Sequence, residues 1–288
     1  MKLLMLAPGK ASKSTQMIFD ESKKLFDSVD LFSIQDVILE TTKEVRGFCN
    51  GNDLSNYDYM LPRIDSKRAS YGYHVIKFFD SINMKKPYHA EAIPIAHNKF
   101  STLFEFGKKG IVVPDTYFTS SKKSAEDLVR KMKFPAMIKL VSSYGGKGVM
   151  YIESRQAAMS VVKTLNLLKQ DLMLEKFIDN PGEDIRGFLI GDEIIGMKRI
   201  AKKGEKRANV SSGGKAVTYT LDDEEKEIVF KTAKILGAKI CATDMIKGKD
   251  GVFVIEANIN PGLQGITKAT GINLAQKIAK FCYEEAKK

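Results

Sequence analysis

Tryptophan is missing from this chain of 288 residues, and cysteine and histidine are scarce, with three of each. Cys49, Cys241 and Cys282 lie far apart with no CxxC spacing. That argues against a disulfide framework or a cysteine zinc site, and favours a reducing cytoplasm. His74, His89 and His97 show no metal-ligand spacing either. No run of 18 apolar residues occurs, so no membrane span is expected. Met1 to Ala7 is too short for a signal peptide and reads as a first strand. No internal repeat or low-complexity tract appears.

What is present is a globular composition, 43% hydrophobic and 28% charged, in a chain long enough for two or three lobes. The formal net charge of +11 favours acidic partners such as nucleotides, polyanionic substrates or nucleic acid. A nucleic-acid module would interleave aromatics with lysines on one face or carry a binding motif. Neither is found, so nucleic acid is set aside.

Element patterns indicate an α/β protein. In residues 1–95, apolar strands at Lys2 to Ala7, Val29 to Ile34 and Tyr57 to Ile64 alternate with helices at Gln16 to Phe26 and Tyr73 to Ile82. This is a doubly wound pattern. Gly9 to Thr15 lacks phosphate-loop spacing and reads as an ordinary loop. A second lobe, 96–175, holds a helix from Lys99 to Phe106, an extended Val112 to Phe118 and a helix with Ser124 to Asp127 as capping box. The strand Phe134 to Val141 and a helix capped by Ser154 complete it. A third lobe, 176–288, contains a hairpin turning at Gly191-Asp192, a helix from Asp222 to Leu236 stopped by Gly237, a loop over Gly262 to Gly271 and a final helix.

The chemistry concentrates in two short strands, Ile240 to Ile246 and Val252 to Leu263, joined by the turn Lys247 to Gly251. A hairpin centred near Asp250 places Asp244 opposite Glu256. Glu256 and Asn258, two apart, share a face. Three hard oxygen ligands on an otherwise apolar sheet suit magnesium. Lys139 lies inside the apolar strand Phe134 to Val141. A buried ammonium needs an anionic partner, and the expected one is a ligand phosphate rather than a protein carboxylate. The loop Ser142 to Gly148 follows directly. Its glycines turn backbone N–H groups toward phosphate oxygens, and Lys147 adds charge.

From about Leu61 to its end the sequence resembles an ATP-grasp ligase of the RimK type. The marks are Pro62-Arg-Ile64, Lys99, Ile138-Lys-Leu140 with Gly145-Gly-Lys-Gly148, Leu174 to Ile178, Glu183 to Arg186, Arg199, Arg207-Ala-Asn209, Asp244, and Glu256-Ala-Asn258 through Gly265. The resemblance implies an N-terminal pre-ATP-grasp domain at 1–95 and a two-lobed ATP-grasp fold at 96–175 and 176–288. It implies that Lys99 and Lys139 contact nucleotide phosphates and that Gly145, Gly146, Lys147 and Gly148 close over them. Glu175, Lys176, Phe177 and Ile178 would hold adenine, Glu183 or Asp184 the ribose, and Arg207 and Asn209 the phosphate end. Asp244, Glu256 and Asn258 would bind magnesium, with manganese as an alternative ion. Arg186, Arg199 and Arg207 would act near the reacting centre. Two departures are Tyr144 in the phosphate loop and Asn260 before Pro261-Gly262, where a smaller residue and a serine are usual.

The implied reaction is ATP-dependent amide formation through an acyl phosphate. It adds an amino acid, expected to be glutamate, to an acidic acceptor such as a coenzyme tail or a protein C-terminus. Alternatives are addition of another amino acid to an acidic carrier protein, as in lysine or arginine biosynthesis, and an ATP-binding scaffold without turnover. A homo-oligomer, dimer or tetramer, is implied by the resemblance alone.

Overall fold

The computed structural model describes residues 1–141, 148–180, 182–202 and 214–288. The expected α/β organisation is present. Strands β1 (Lys2–Ala7), β2 (Ser28–Ser33) and, later in the chain, Tyr59–Pro62 form a parallel sheet with β1 in the middle. Both faces of β1 are buried, as a central parallel strand requires: Leu4 and Leu6 join one core, Leu3 and Met5 another. Helix α1 (Lys13–Ser22) begins with Ser12, whose hydroxyl accepts from the Thr15 amide. The second half of the stretch expected to be a loop is thus the first turn of a helix.

A small antiparallel sheet, β3 (Val37–Thr41), β4 (Val45–Cys49) and β5 (Asn52–Asp53), interrupts the parallel one before β6 (Tyr59–Pro62). Helices α2 (Ala69–Ser81), α3 (Ala92–Ala96) and α4 (Lys99–Lys108) follow.

The next sheet is antiparallel, with strands ordered β7 (Thr116–Thr119), β10 (Leu172–Lys176), β8 (Ala136–Lys139) and β9 (Val149–Ile152). Helices α5 (Lys122–Lys131) and α6 (Arg155–Leu167) pack against it, and this lobe has a core of its own, with Val129, Ile138, Val162 and Leu174. Helix α5 is capped by Ser121, which accepts from the Ser124 amide. It therefore starts three residues before the expected box, because Ser121 supplies a hydroxyl cap first. Ser154 caps α6 as expected.

The last sheet is antiparallel in the order β13 (Lys215–Thr218), β12 (Glu193–Ile200), β11 (Glu183–Ile190), β14 (Ile240–Gly248) and β15 (Gly251–Asn258). Helix α7 (Asp223–Leu236) has the full Asp222–Glu225 capping box and stops at Gly237 with φ 60°. The span expected as a loop over Gly262 to Gly271 instead holds helix α8 (Gln264–Thr270), anchored by the buried Ile266. Helix α9 (Leu274–Lys287) ends the chain. Cores that mix residues of β1, β6 and α2 with those of β11, β14 and β15 tie the first and last sheets into one packed body.

No helix among the described residues is long and apolar enough to cross a membrane. The three cysteines are buried and unbridged.

Candidate active site

A cleft lies between the lobe of β7–β10 and the last sheet. Met137, Val149, Phe177, Ile178, Ile246 and Ile255 give it apolar walls, and Lys99, Lys139, Glu175, Glu183, Asp184, Arg199, Asp244 and Glu256 give it charge. Its floor is the β14–β15 hairpin. Asp244 is paired with Glu256, and Asn258 with Ala242. A bulge makes this so. From the tip inward Lys247 faces Val252 and Met245 faces Val254, but past Met245 the register gains one residue on β15. The core-facing positions of β15 therefore change parity, from Val252 and Val254 to Ala257 and Ile259. Glu256 and Asn258 are released to the open side, where unbroken alternation from Val254 would point them into the core.

Asp244 sits directly opposite Arg186 on β11. Arg186 Nε donates to its Oδ1 at 2.6 Å and Arg186 Nη2 to its Oδ2 at 2.7 Å. Arg199 Nη2 donates to the same Oδ2 at 2.8 Å, and Arg199 Nε donates to Asp184. The four groups form one chain, Arg186–Asp244–Arg199–Asp184, buried except for the half-buried Arg186. Burial resists ionisation of Asp244, but the two guanidiniums overcome it and hold the carboxyl at about 2. Asp184 goes the other way, to about 6, through burial and the Asp244 charge, against the pull of Arg199. Burial works against the charge on Arg199, and the two aspartates more than offset it, raising its pKa.

Lys139 has a protein carboxylate as its partner. Its ammonium donates to Glu175 at 2.5 Å, with both side chains buried. This corrects the expectation from sequence. Strand β10 lies beside β8, and Glu175 falls on the same face two residues along from the Lys139 partner Met173. Lys99 opens α4 and lines the cleft. Burial lowers its pKa, opposed by Glu256 and reinforced by Lys139.

Of the residues expected around adenine, Phe177 and Ile178 line the cleft, and Tyr151 meets the Phe177 ring edge-on at 5.0 Å. The Lys176 side chain points elsewhere, 3.9 Å from Asp115. Glu183 lines the cleft and bridges to Lys198 at 2.9 Å. Gly148 has φ +70°, and a Cβ there would stand 2.9 Å from Leu140 Cδ1, so the loop's last position requires glycine. Gly145, Gly146, Lys147, Arg207 and Asn209 lie outside the described residues. No group of three or more His, Cys, Asp or Glu side chains able to hold a metal occurs among the described residues, so any ion here draws on the Asn258 amide oxygen as well.

Sequence reasoning missed Ile246 and Ile255, which read there only as strand residues. It also missed a second cavity beside the cleft, lined by Arg63, His97 and Asn260 and sharing Lys99 and Glu256 with it. An arginine directly after the wholly buried strand β6 is the signal that could have found it.

Residues 1–93 match the model of the RimK PreATP-grasp domain, and residues 96–282 that of the RimK-like ATP-grasp domain. A probable alpha-L-glutamate ligase of Legionella pneumophila (strain Corby) is 37% identical over 240 residues, 82% of this chain and 80% of that protein. One from Vibrio vulnificus (strain YJ016) is 35% identical over the same shares. In fold, the chain is similar to the RimK domain protein ATP-grasp from Sphaerobacter thermophilus DSM 20745, with TM-score 0.74, 16% identity, and 98% and 99% of the two chains covered. It is also similar to the ATP-grasp ligase PsnB complexed with a phosphomimetic variant of its minimal precursor, Mg and ADP. There the TM-score is 0.77 at 13% identity, covering 99% and 98%.

Proposed function

The chain belongs to the RimK family of ATP-grasp ligases, and on that premise we propose that it joins L-glutamate to the carboxylate of an acidic acceptor. The acceptor is a coenzyme tail or a protein C-terminus. The observation that carries the reading is the gathering of Lys99 and Lys139 with Asp244 and Glu256 around one cleft with apolar walls. It is the arrangement a triphosphate needs: cations for its oxygens, acids for its metal, and a dry wall for its base. In this reading residues 1–95 are the pre-ATP-grasp domain, and 96–175 and 176–288 are the two ATP-grasp lobes.

Glu256 and Asn258 offer oxygens on the open face. Asp244 accepts three hydrogen bonds from described residues, leaving one of the roughly four lone-pair sites of a carboxylate. That donor set suits magnesium, which keeps waters and phosphate oxygens as its other ligands. Bound there, the ion would supply charge neutralisation to the triphosphate. Phe177, Ile178 and Ile255 hold the base, and Glu183 takes the ribose hydroxyls. Lys99 and Lys139 screen the phosphates so that an anionic acceptor can approach.

The acceptor carboxylate oxygen attacks the γ-phosphorus, the bond to ADP breaks, and an acyl phosphate forms. The amine of glutamate attacks the acyl carbon and phosphate departs. The amine proton passes to the leaving phosphate or to solvent. Arg199, preorganised by its two aspartates, faces the charge that develops.

The test is phosphate release from ATP with magnesium and glutamate across a panel of coenzyme tails, a glutamate-ended peptide and an acidic carrier protein. Mass spectrometry reads the product. Release tied to one acceptor, with a gain of one or more glutamyl units, supports the proposal. ATP binding with no release on any acceptor overturns it in favour of a scaffold.

A further inference from the structure

Strand β7 lies at the rim of its sheet and pairs on one side only, with β10. The Lys176 amide donates to the Asp115 carbonyl at 2.9 Å, just before β7 begins. Bonded pairs alternate along an antiparallel ladder, so Tyr117 and Thr119 also bond toward β10. Thr116 and Phe118 therefore turn their N–H and C=O groups outward. An edge kept from pairing usually carries a lysine, a proline or a bulge in the strand itself. Thr116-Tyr-Phe-Thr119 has none of these, and Tyr117 and Phe118 are 44% and 40% exposed.

The two faces beside this edge differ in chemistry. Tyr117 lies on the α5 face, opposite Leu174 of that lobe's core. A cavity of about 420 Å³ opens there beside Tyr117, Leu128 and Met132, with Lys131, Lys133 and Lys176 in its wall. Against these three lysines the wall holds one carboxylate, Asp115. The nearby acids of α5, Glu126 and Asp127, are engaged by Arg130. Phe118 lies on the other face, opposite Met173. Its ring stacks on Phe100 at 4.9 Å, and Phe104, 54% exposed, follows 6.0 Å beyond Phe100. The charge beside this aromatic row is an acid, Glu105.

A strand added to β7 would bond to Thr116 and Phe118 and send its side chains alternately to the two faces. One set meets lysines, and the other meets aromatic rings beside a carboxylate. The pattern this selects is acidic and apolar residues in alternation. We propose that β7 captures an extended acidic segment of another protein by strand addition. Charge argues against a second copy of this chain as the occupant, because two-fold pairing of β7 with itself would set the lysines of both copies on one face. The proposal is independent of the ligase reading.

Fluorescence anisotropy tests it, with a labelled, capped peptide in which glutamate alternates with valine titrated by the full chain. A peptide of the same composition with its glutamates in one block keeps the charge but loses the two faces, and should bind at least about 10-fold weaker. N-methylation of every amide in the alternating peptide removes its backbone donors and should cost about 10-fold or more. Lys131 and Lys133 are exposed, and the double variant Lys131→Glu, Lys133→Glu should weaken the alternating peptide by about 10-fold or more at low salt. Equal affinity for the alternating and block peptides reduces the attraction to charge alone and overturns the proposal. So does affinity that N-methylation or the lysine variant leaves undiminished, and so does a chain that binds no alternating peptide. A dimer in sedimentation that Phe118→Ser dissociates gives the edge to a second copy instead.

Discussion

Arg186 and Asp244 stand directly opposite each other on adjacent strands and meet through a two-point fork, at 2.6 and 2.7 Å. Asp244 is also held by Arg199, so one buried carboxylate meets two guanidiniums, the buried Arg199 and the half-buried Arg186. Asp244→Asn would take the carboxylate from Arg186 and leave Arg199 with Asp184 alone. Breaking a buried pair from one side costs about 3–5 kcal/mol, and urea unfolding should register a loss of that order along with lost turnover. An unfolding free energy equal to wild type would show that the network carries no structural weight.

Glu256→Gln should behave differently. Glu256 is half-buried at the cleft, and its charge opposes the lowering of the Lys99 pKa by burial. Its removal should change stability by less than about 1 kcal/mol, yet lower turnover by about 10²- to 10³-fold or more. The same two measurements on Asp244→Asn and Glu256→Gln separate an acid needed for the fold from one needed for the reaction. Unchanged turnover in Glu256→Gln would refute its place at the metal.

The Lys139–Glu175 pair invites a double-mutant cycle. Lys139→Met alone leaves a buried carboxylate unpaired and should cost about 3–5 kcal/mol. Adding Glu175→Leu should recover at least about 1 kcal/mol of that loss, because the two sites are coupled. Strict additivity in chemical denaturation would mean that the 2.5 Å contact does not persist in solution.

His97 gives a pH signature. Burial lowers its pKa from 6.5 to about 4 in the folded chain. Between those values the unfolded chain binds the extra proton, so stability rises with pH there and is lost as pH falls from 6.5 toward 4. At pH 5 the loss is on the order of 2 kcal/mol relative to pH 7.5. Asp184 opposes it. A carboxyl raised to about 6 makes the folded chain the stronger proton binder from 4 to 6, so its contribution falls as pH rises. His97→Gln should therefore remove the acid-side loss and leave the aspartate slope, visible as stability that increases on going from pH 7.5 to 5. A variant that loses as much stability as wild type on acidification would contradict this.

Local signals were legible in the sequence. Ser154, the Asp222–Glu225 box, Gly237 and the Gly191-Asp192 turn each act on atoms a few residues away, and each stands where its spacing puts it. The pairing of Asp244 with Glu256 was legible too, although counting alone was helped by two offsets that cancel. The turn proper lies between Gly248 and Gly251, and the bulge adds the residue that brings Glu256 level. The partner of Lys139 was not legible, because it depends on which strand lies beside β8, and Glu175 is 36 positions away. Helix α8 was hidden by its flanking glycines, since its anchor, Ile266, reveals itself only against α9 and β12. The cavity around Arg63 draws on residues about 200 positions apart, beyond the reach of any pattern within one segment.

The β15 bulge has one more effect. Ile255 and Glu256, neighbours in sequence, both face the cleft, which a regularly pleated strand forbids. A greasy surface and a charged one are thereby set side by side by consecutive codons. Losing the isoleucine codon would straighten the strand and still leave the acid facing outward, opposite Asp244. Such a deletion would keep the reactive edge of the floor while stripping the wall beside it, so that grip on the base and chemistry at the phosphates could drift apart in evolution one codon at a time.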